Sequence, residues 1–510
     1  MDPKTLFSQT PPGRLFLTAA LPGAVGMLAS ALYQLIDGIL VGQVLGEAAF
    51  AAINLAMPFV IINFALADLI GVGSSVPISV RLGQGEERAA NNIFTCACLL
   101  IMGTGALIGA ALFFSAPLLL SLLGAQGELA ELAVQYLRVY ALFSPLTTII
   151  FASDNYLRIC GKIRMSMWLN ILMSILTAVL EFVLLVVLGW GIWAAALASS
   201  LGMIACVLIA LYPFARGRLQ LRFCRPRFSL SMIKQIVACG SPNFLNNISG
   251  RITSILMNAV LLRVGGQNAV SIYGILMYAD GLIQPLLYGA CDSLQPAVSY
   301  NWGAGDLKRI WAIERYCFSA AAGISLLSAA ALFFFPDTVT ALFLSNMDAA
   351  FLETARTAIQ LFALTYLTRW FSFASQSLMT AVERAGAASL ISICTALVFP
   401  VALIVLFWPL GLTGIWLNFA ATSLLAGLLY RCLPKLWMSC LGEIIGTGII
   451  SALLAWPIAI FILGTPSAPF AYVVPFMTAA LVGVVIASVL MFLMNRSGAL
   501  NAMRRLARGD

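Results

Sequence analysis

Apolar runs of 18 or more residues recur along the whole chain, and that recurrence decides most of what it can fold into. Each run can cross about 30 Å of hydrocarbon as a helix, a form that satisfies its own backbone hydrogen bonds where water cannot. Only 9% of the residues are charged, against roughly a quarter in a soluble domain. The chain therefore reads as an all-α polytopic membrane protein. Its first apolar run, about 25 residues long, has no small-residue cleavage site after it and reads as a span, not a signal peptide.

Polar punctuation divides the apolar runs into fourteen spans, near 14–42, 48–78, 90–115, 129–157, 164–188, 191–213, 236–262, 270–300, 310–335, 351–380, 387–408, 410–432, 441–463 and 470–494. Of the 28 lysines and arginines, Arg263 and Arg356 fall in loops on one side, Arg138, Arg251 and Arg369 lie inside spans, and the other 23 fall on the opposite side. The positive-inside rule then places both termini in the cytoplasm, which requires an even number of spans. Basic residues spread over many loops do not form a nucleic-acid surface; the net charge of +8 is a topology signal.

The basic stretch Ala215 to Lys234 reads as a linker between halves. Sliding the chain on itself by 220 residues matches Pro22 with Pro242, Val44 with Val264, Gly46 with Gly266, Met57 with Met277 and RLGQG (Arg81 to Gly85) with NWGAG (Asn301 to Gly305). A shift of 222 matches Phe151–Ser153 with Phe373–Ser375, and 223 matches Gly191–Trp193 with Gly414–Trp416. Copies an even number of spans apart enter the membrane from the same side. The chain is thus a parallel repeat with a pseudo-two-fold axis along the membrane normal, a pattern of transporters. The expected organisation is an N-lobe over 1–220, a C-lobe over 221–434, and two further spans with a basic tail over 435–510.

The chain has no histidine, which excludes histidine metal sites, histidine-based triads and histidine relays. Titrating chemistry falls to Asp and Glu. The 11 cysteines lack CxxC or secreted-domain spacing and read as packing residues. RLGQG and NWGAG lack the phosphate-loop form and read as helix-ending turns. An intramembrane enzyme has no motif here to support it, no cofactor is implied, and the chain is expected not to be an enzyme.

Five elements carry a family resemblance: Pro22 with Asp37 on span one, RLGQGEERAA after span two, LRICGK (Leu157 to Lys162) after span four, GWGIWAAALAS (Gly189 to Ser199), and QPAVSYNWGAGD (Gln295 to Asp306). With the repeat, they make the first twelve spans resemble the multidrug and toxic compound extrusion (MATE) family, in its bacterial small-multidrug-exporter branch. The resemblance implies two six-helix bundles in a V, with one chain working as a monomer. It also implies efflux of amphiphilic organic cations in exchange for H+ or Na+ across the bacterial inner membrane. The two extra C-terminal helices lie outside that pattern; fourteen spans occur in related flippases for lipid-linked sugars or peptidoglycan precursors, the alternative function.

Carried over residue by residue, the resemblance implies a coupling-ion site at Asp37, Tyr136, Asp154 or Asn155, Thr177, Glu181 and Ser199, with Na+ at Asp37, Glu181 and Thr177 as the metal form and Pro22 as a hinge. The family commonly has Asn and Asp on span five where this chain has Thr177 and Glu181, and often Thr on span six where it has Ser199. Physically, an acid near mid-membrane costs roughly 2.5–3.5 kcal/mol and needs a proton, a cation or a path to the interface. Thr177 and Glu181, four residues apart, share a helical face. Asp37, Tyr136 and Ser199 sit at a compatible depth, whereas Asp154 is 18 residues below Tyr136, about 27 Å along a straight helix; its rival role is an interfacial group near Arg158. Asp68 on span two and Asp280 and Asp292 on span eight are further embedded acids, with ion pairing to Arg138, Arg251 or Arg369 as the plain explanation. Asp280 could attract a cationic substrate, and Tyr273, Tyr278 and Trp370 could stack on it. Arg251 discriminates the flippase, which needs cationic groups in its cleft.

Overall fold

The computed structural model describes residues 3–122, 126–343 and 349–432, so spans thirteen and fourteen lie outside the described residues. Within them, all regular structure is helical, and each of the first twelve spans falls on one helix or on consecutive helical segments. Nine stretches are long and apolar enough to cross a membrane, two of which, Leu230–Gly303 and Ala385–Ala426, each hold two spans. This is a multi-pass membrane protein. Every described cysteine is free.

Spans one and two form a single run, Pro12–Gly83, turned at Gly46 (φ 83°, ψ −179°). Spans seven and eight repeat this over Leu230–Cys291, turned at Gly266 (φ 66°, ψ −160°). Only glycine enters that region without a Cβ clash, which is why the 220-residue offset falls on these two positions. After span four the chain turns at Gly161 (φ 71°). The position 222 residues on is Glu383 (φ 58°), a non-glycine residue held left-handed, its carboxylate accepting from Gln235 Nε2 at 2.8 Å. Between the halves, residues 218–229 run without regular structure along the start of span three. Their backbone N–H groups at Arg222, Cys224 and Arg227 donate to Asn91, Thr95 and Asn92 at 2.8, 3.1 and 2.8 Å.

The packing is that of a V. At the face bearing the N-terminus, one apolar core is shared by both lobes and runs from Leu6 and Ile78 to Ile236, Val298 and Ile313. At the opposite face the lobes have separate cores, one around Ala52, Leu137 and Ala195 and the other around Leu261, Ile359 and Trp416. Contact at the closed face is reciprocal: a Cβ on Gly83 would overlap the Tyr300 carbonyl, and one on Gly303 would overlap the Val80 carbonyl. Since 83 pairs with 303 and 80 with 300 under the repeat, these are two copies of one contact about the pseudo-two-fold axis. Higher up, Gly289 of the C-lobe presses on the backbone of Ala24, and Gly23 on Ser293.

Gly303→Val should therefore part the lobes at this face. Cys239, buried against Val76 and Val80, reports it: as the single cysteine left in the chain, it should react with a maleimide about tenfold faster in the variant. An unchanged rate would mean that the glycine contact does not hold the lobes together.

Candidate functional site

Among the described residues, three groups of polar side chains within the spans contain most of the expected site residues. In the N-lobe, spans one, four, five and six bring Asp37, Tyr33, Tyr136, Glu181 and Ser199 together. Glu181 is fully buried, and neither of its carboxyl oxygens has a hydrogen-bond partner among the described residues. It faces Asp37, and both acids are close enough to Tyr33 and Tyr136 to interact with them electrostatically. The Tyr33 hydroxyl donates to Asp37 Oδ1 at 3.4 Å and meets Ser199 Oγ at 3.3 Å. Thr177, one turn before Glu181, donates to the Met173 carbonyl at 2.7 Å and packs on Gly202. A π-helical turn, Val183–Val187, begins two residues after Glu181.

No lysine or arginine pairs with this cluster among the described residues. Arg138, two residues from Tyr136, instead lies over the Phe113 ring at 5.4 Å and donates to its carbonyl at 3.3 Å. Two facing carboxyls, Glu181 fully buried and Asp37 half-buried, repel each other unless a proton or a cation comes between them. Oxygen ligands from two carboxyls and nearby hydroxyls suit either H+ or a hard cation. Asp37, Glu181, Tyr136 and Ser199 are thus brought together, with Thr177 beside them. Tyr33 was missed by the sequence reading, although its i, i+4 spacing to Asp37 puts both on one face of span one.

The second group lines a cavity of about 440 Å³ between the lobes. Asp68, Asp154 and Asp292 are on its wall, with Arg158 and seven Asn or Gln side chains. Arg158 is 4% exposed and pairs with Asp154 at 2.7 Å. It also donates to Ser166 at 3.0 Å and, across the lobes, to Ser293 at 3.3 Å. Ser166 and Asn170 both donate to Asp154, while Asn155 donates to the Phe151 carbonyl at 3.3 Å. Asp154 and Asn155 are therefore committed to this cavity and are not brought to Asp37, as their depth on span four required.

The third group is an ion pair in the C-lobe. Arg369 donates to both Asp280 oxygens, at 2.7 and 3.2 Å, and Tyr366 donates to Oδ1 at 2.5 Å. Asp280 is thus already neutralised, which removes the charge that was to attract a cationic substrate. None of Asp280, Tyr273, Tyr278 and Trp370 lines the cavity. Tyr273 is buried against Phe419 and donates to Ser254 at 3.3 Å. Trp370 donates to the Leu367 carbonyl at 2.9 Å beside Phe371, and Tyr278 is half exposed. Pro22 lies inside a helix that continues through it, one residue from the Gly23 contact with the C-lobe.

Comparison with known proteins agrees with this architecture. The MatE family model matches residues 22–183 and again 242–406, two stretches that begin 220 residues apart. A second model, for a thiamine-precursor transporter protein, matches residues 387–497. The multidrug export protein MepA of Staphylococcus aureus (strain NCTC 8325) is 24% identical over 82% of this chain and 93% of its own. The same protein of Staphylococcus saprophyticus is 23% identical over 78% and 87%. Among solved structures, an outward-facing multidrug resistance MATE transporter of the MOP superfamily superposes with a TM-score of 0.79 at 24% identity, over 86% of this chain and 98% of that one.

The Asp280–Arg369 pair should behave as structural. Arg369→Ala leaves a carboxylate without its partner and should cost roughly 3 kcal/mol, read as a drop in thermal unfolding midpoint in detergent. Adding Asp280→Asn should recover most of the loss; no recovery would mean that the pair is not what holds these helices.

Proposed function

The chain belongs to the MatE family, and from that premise we propose that it is a secondary transporter exchanging organic cations for H+ or Na+. The observation that carries this reading is the pair formed by buried Glu181 and half-buried Asp37, which has no cationic partner among the described residues. Such a pair is costly when empty and favourable when a proton or Na+ enters, which is what a coupling site needs. The multidrug export carried out by the relatives supports the direction of transport. In this reading the chain resides in the cytoplasmic membrane of a bacterium with both termini inside, works as a monomer, and needs no cofactor.

The mechanism follows from the two-lobed packing. In this reading the shared core lies on the cytoplasmic side, where the positive-inside rule puts the N-terminus, and the lobes open outward. A proton or Na+ arriving from outside binds between Asp37 and Glu181, within reach of Tyr33 and Ser199. Span one then rearranges near Pro22, and the substrate leaves the interlobe cavity. The lobes next rock about the glycine contacts to open inward, where the coupling ion departs and new substrate enters. The membrane potential supplies roughly 2.3 kcal/mol per charge per 100 mV, plus the concentration term.

The flippase alternative needs cationic side chains in the cleft. Arg251 is exposed, Arg138 lies on Phe113, Arg369 is paired with Asp280, and none of the three lines the cavity. With three acids against Arg158 among the described lining residues, the cavity suits cations better than pyrophosphate.

In proteoliposomes, a pH gradient and a Na+ gradient imposed separately should show which ion drives efflux of a fluorescent organic cation. Asp37→Asn should lower the driven rate by at least about tenfold, within the usual span of coupling energies, while the variant still folds. Wild-type rates in Asp37→Asn would overturn the coupling role. No driven efflux of any cation by the wild type would overturn the transporter assignment.

A further inference from the structure

The charges of the interlobe cavity do not balance. Asp154 takes the Arg158 guanidinium at 2.7 Å. Asp292 also feels Arg158 and is hydrogen-bonded to Ser377, but one guanidinium offsets one carboxylate. Asp68 has no ion-pair partner among the described residues. Two formal negative charges are therefore left on the wall, one at Asp68 on the N-lobe and one at Asp292 on the C-lobe, and each is costly without a counter-charge.

The remaining wall favours a donor-rich guest. Its aromatic residues are Phe151 and Tyr288. The Tyr288 ring is held edge-on by Phe373 with centroids 4.3 Å apart, so the wall offers little flat surface for stacking. Asn170 Nδ2 donates twice within the protein, to Asp154 at 2.9 Å and the Ser166 carbonyl at 3.0 Å, and Asn155 and Asn246 each donate once, to Phe151 O and Tyr288 at 3.3 Å. That leaves their carbonyl oxygens as acceptors. A guest with several N–H groups satisfies these acceptors and both acids; a lipophilic monocation satisfies one acid and desolvates the rest. The volume of about 440 Å³ is that of a small-molecule site.

Building on the transporter reading, we propose that this cavity takes a polar polyamine-like cation with at least two positively charged nitrogens, held by Asp68 on one lobe and Asp292 on the other. Such a guest ties the lobes together through its own charges, and a monocation cannot. The substrate class thereby differs from the amphiphilic cations that the family resemblance implies.

Calorimetric titration of the full chain in detergent, with no gradient present, tests this with spermidine and tetraphenylphosphonium as probes. Spermidine should bind more tightly than tetraphenylphosphonium. Asp68→Asn and Asp292→Asn should each weaken spermidine about tenfold, while Asp337→Asn, in an exposed ion pair with Arg356, should not. Asp68→Glu and Asp292→Glu keep the charge and should keep most of the affinity, which separates charge loss from misfolding. Equal spermidine affinity in the wild type and both Asn variants, tighter tetraphenylphosphonium binding, or no spermidine binding would each overturn the assignment. Because this is an equilibrium measurement, driven efflux of tetraphenylphosphonium without spermidine binding defeats the guest alone. Spermidine binding without driven efflux of any cation defeats the transporter reading alone.

Discussion

Hydrocarbon offers a peptide group no hydrogen bond, and this constraint shapes everything else in the molecule. It confines the spans to helices and makes each departure from helix a matter of residue type. Spans one and two pass into one another at Gly46, and spans seven and eight at Gly266, because a residue with a Cβ resists that backbone conformation. The same shortage of polar partners explains the lobe contact at the closed face. With Gly83 and Gly303 lacking side chains, the two helices approach backbone to backbone, and such small-residue packing is how apolar helices associate where no hydrophobic effect drives them.

Against that background the embedded charges separate into those already answered and those that are not. Asp280 is matched by Arg369 and Tyr366, and Asp154 by Arg158, Ser166 and Asn170. Glu181 with Asp37, and Asp68 and Asp292 across the cavity, have no equivalent answer. A matched pair fixes helices in place and contributes little to a transport cycle. An unmatched acid is a standing demand for something that arrives and leaves, which is why the proposed ion and substrate sites fall on the second set and not on the first.

How much of this could be read from the sequence depends on whether one helix or several are involved. Span positions, the repeat and its offset were legible because they need only hydropathy and self-comparison. The Thr177–Glu181 face was legible because it lies within one helix, and Tyr33 beside Asp37 would have been, by the same i, i+4 spacing. The partner of Asp280 was narrowed to Arg138, Arg251 or Arg369 and no further, because which distant helix turns its arginine toward span eight is a matter of tertiary rotation that no single helix encodes. Arg158 reaching Ser293 across the lobes, and the aromatic residues assigned to the cleft but found elsewhere, reflect that same missing rotation.

The repeat duplicates the scaffold but not the acids. Positions 220 and 222 residues after Asp37 and Glu181 are Met257 and Leu403, both buried and apolar, so the unmatched pair exists in the N-lobe alone. Span one is therefore the element on which an ion bound there would act. That helix also presents Met27, Ser30 and Ala31 to the cavity, all within two turns before Tyr33, and touches the C-lobe through Gly23 and Ala24. A single rigid element thus joins the acid pair, the cavity wall and the lobe contact. In the proposed cycle, a bend near Pro22 would move all three at once, whereas in the C-lobe the Asp280–Arg369 pair holds its helices fixed. A duplicated fold with the acids kept in one copy gives the ion one moving part to push and one fixed part to push against.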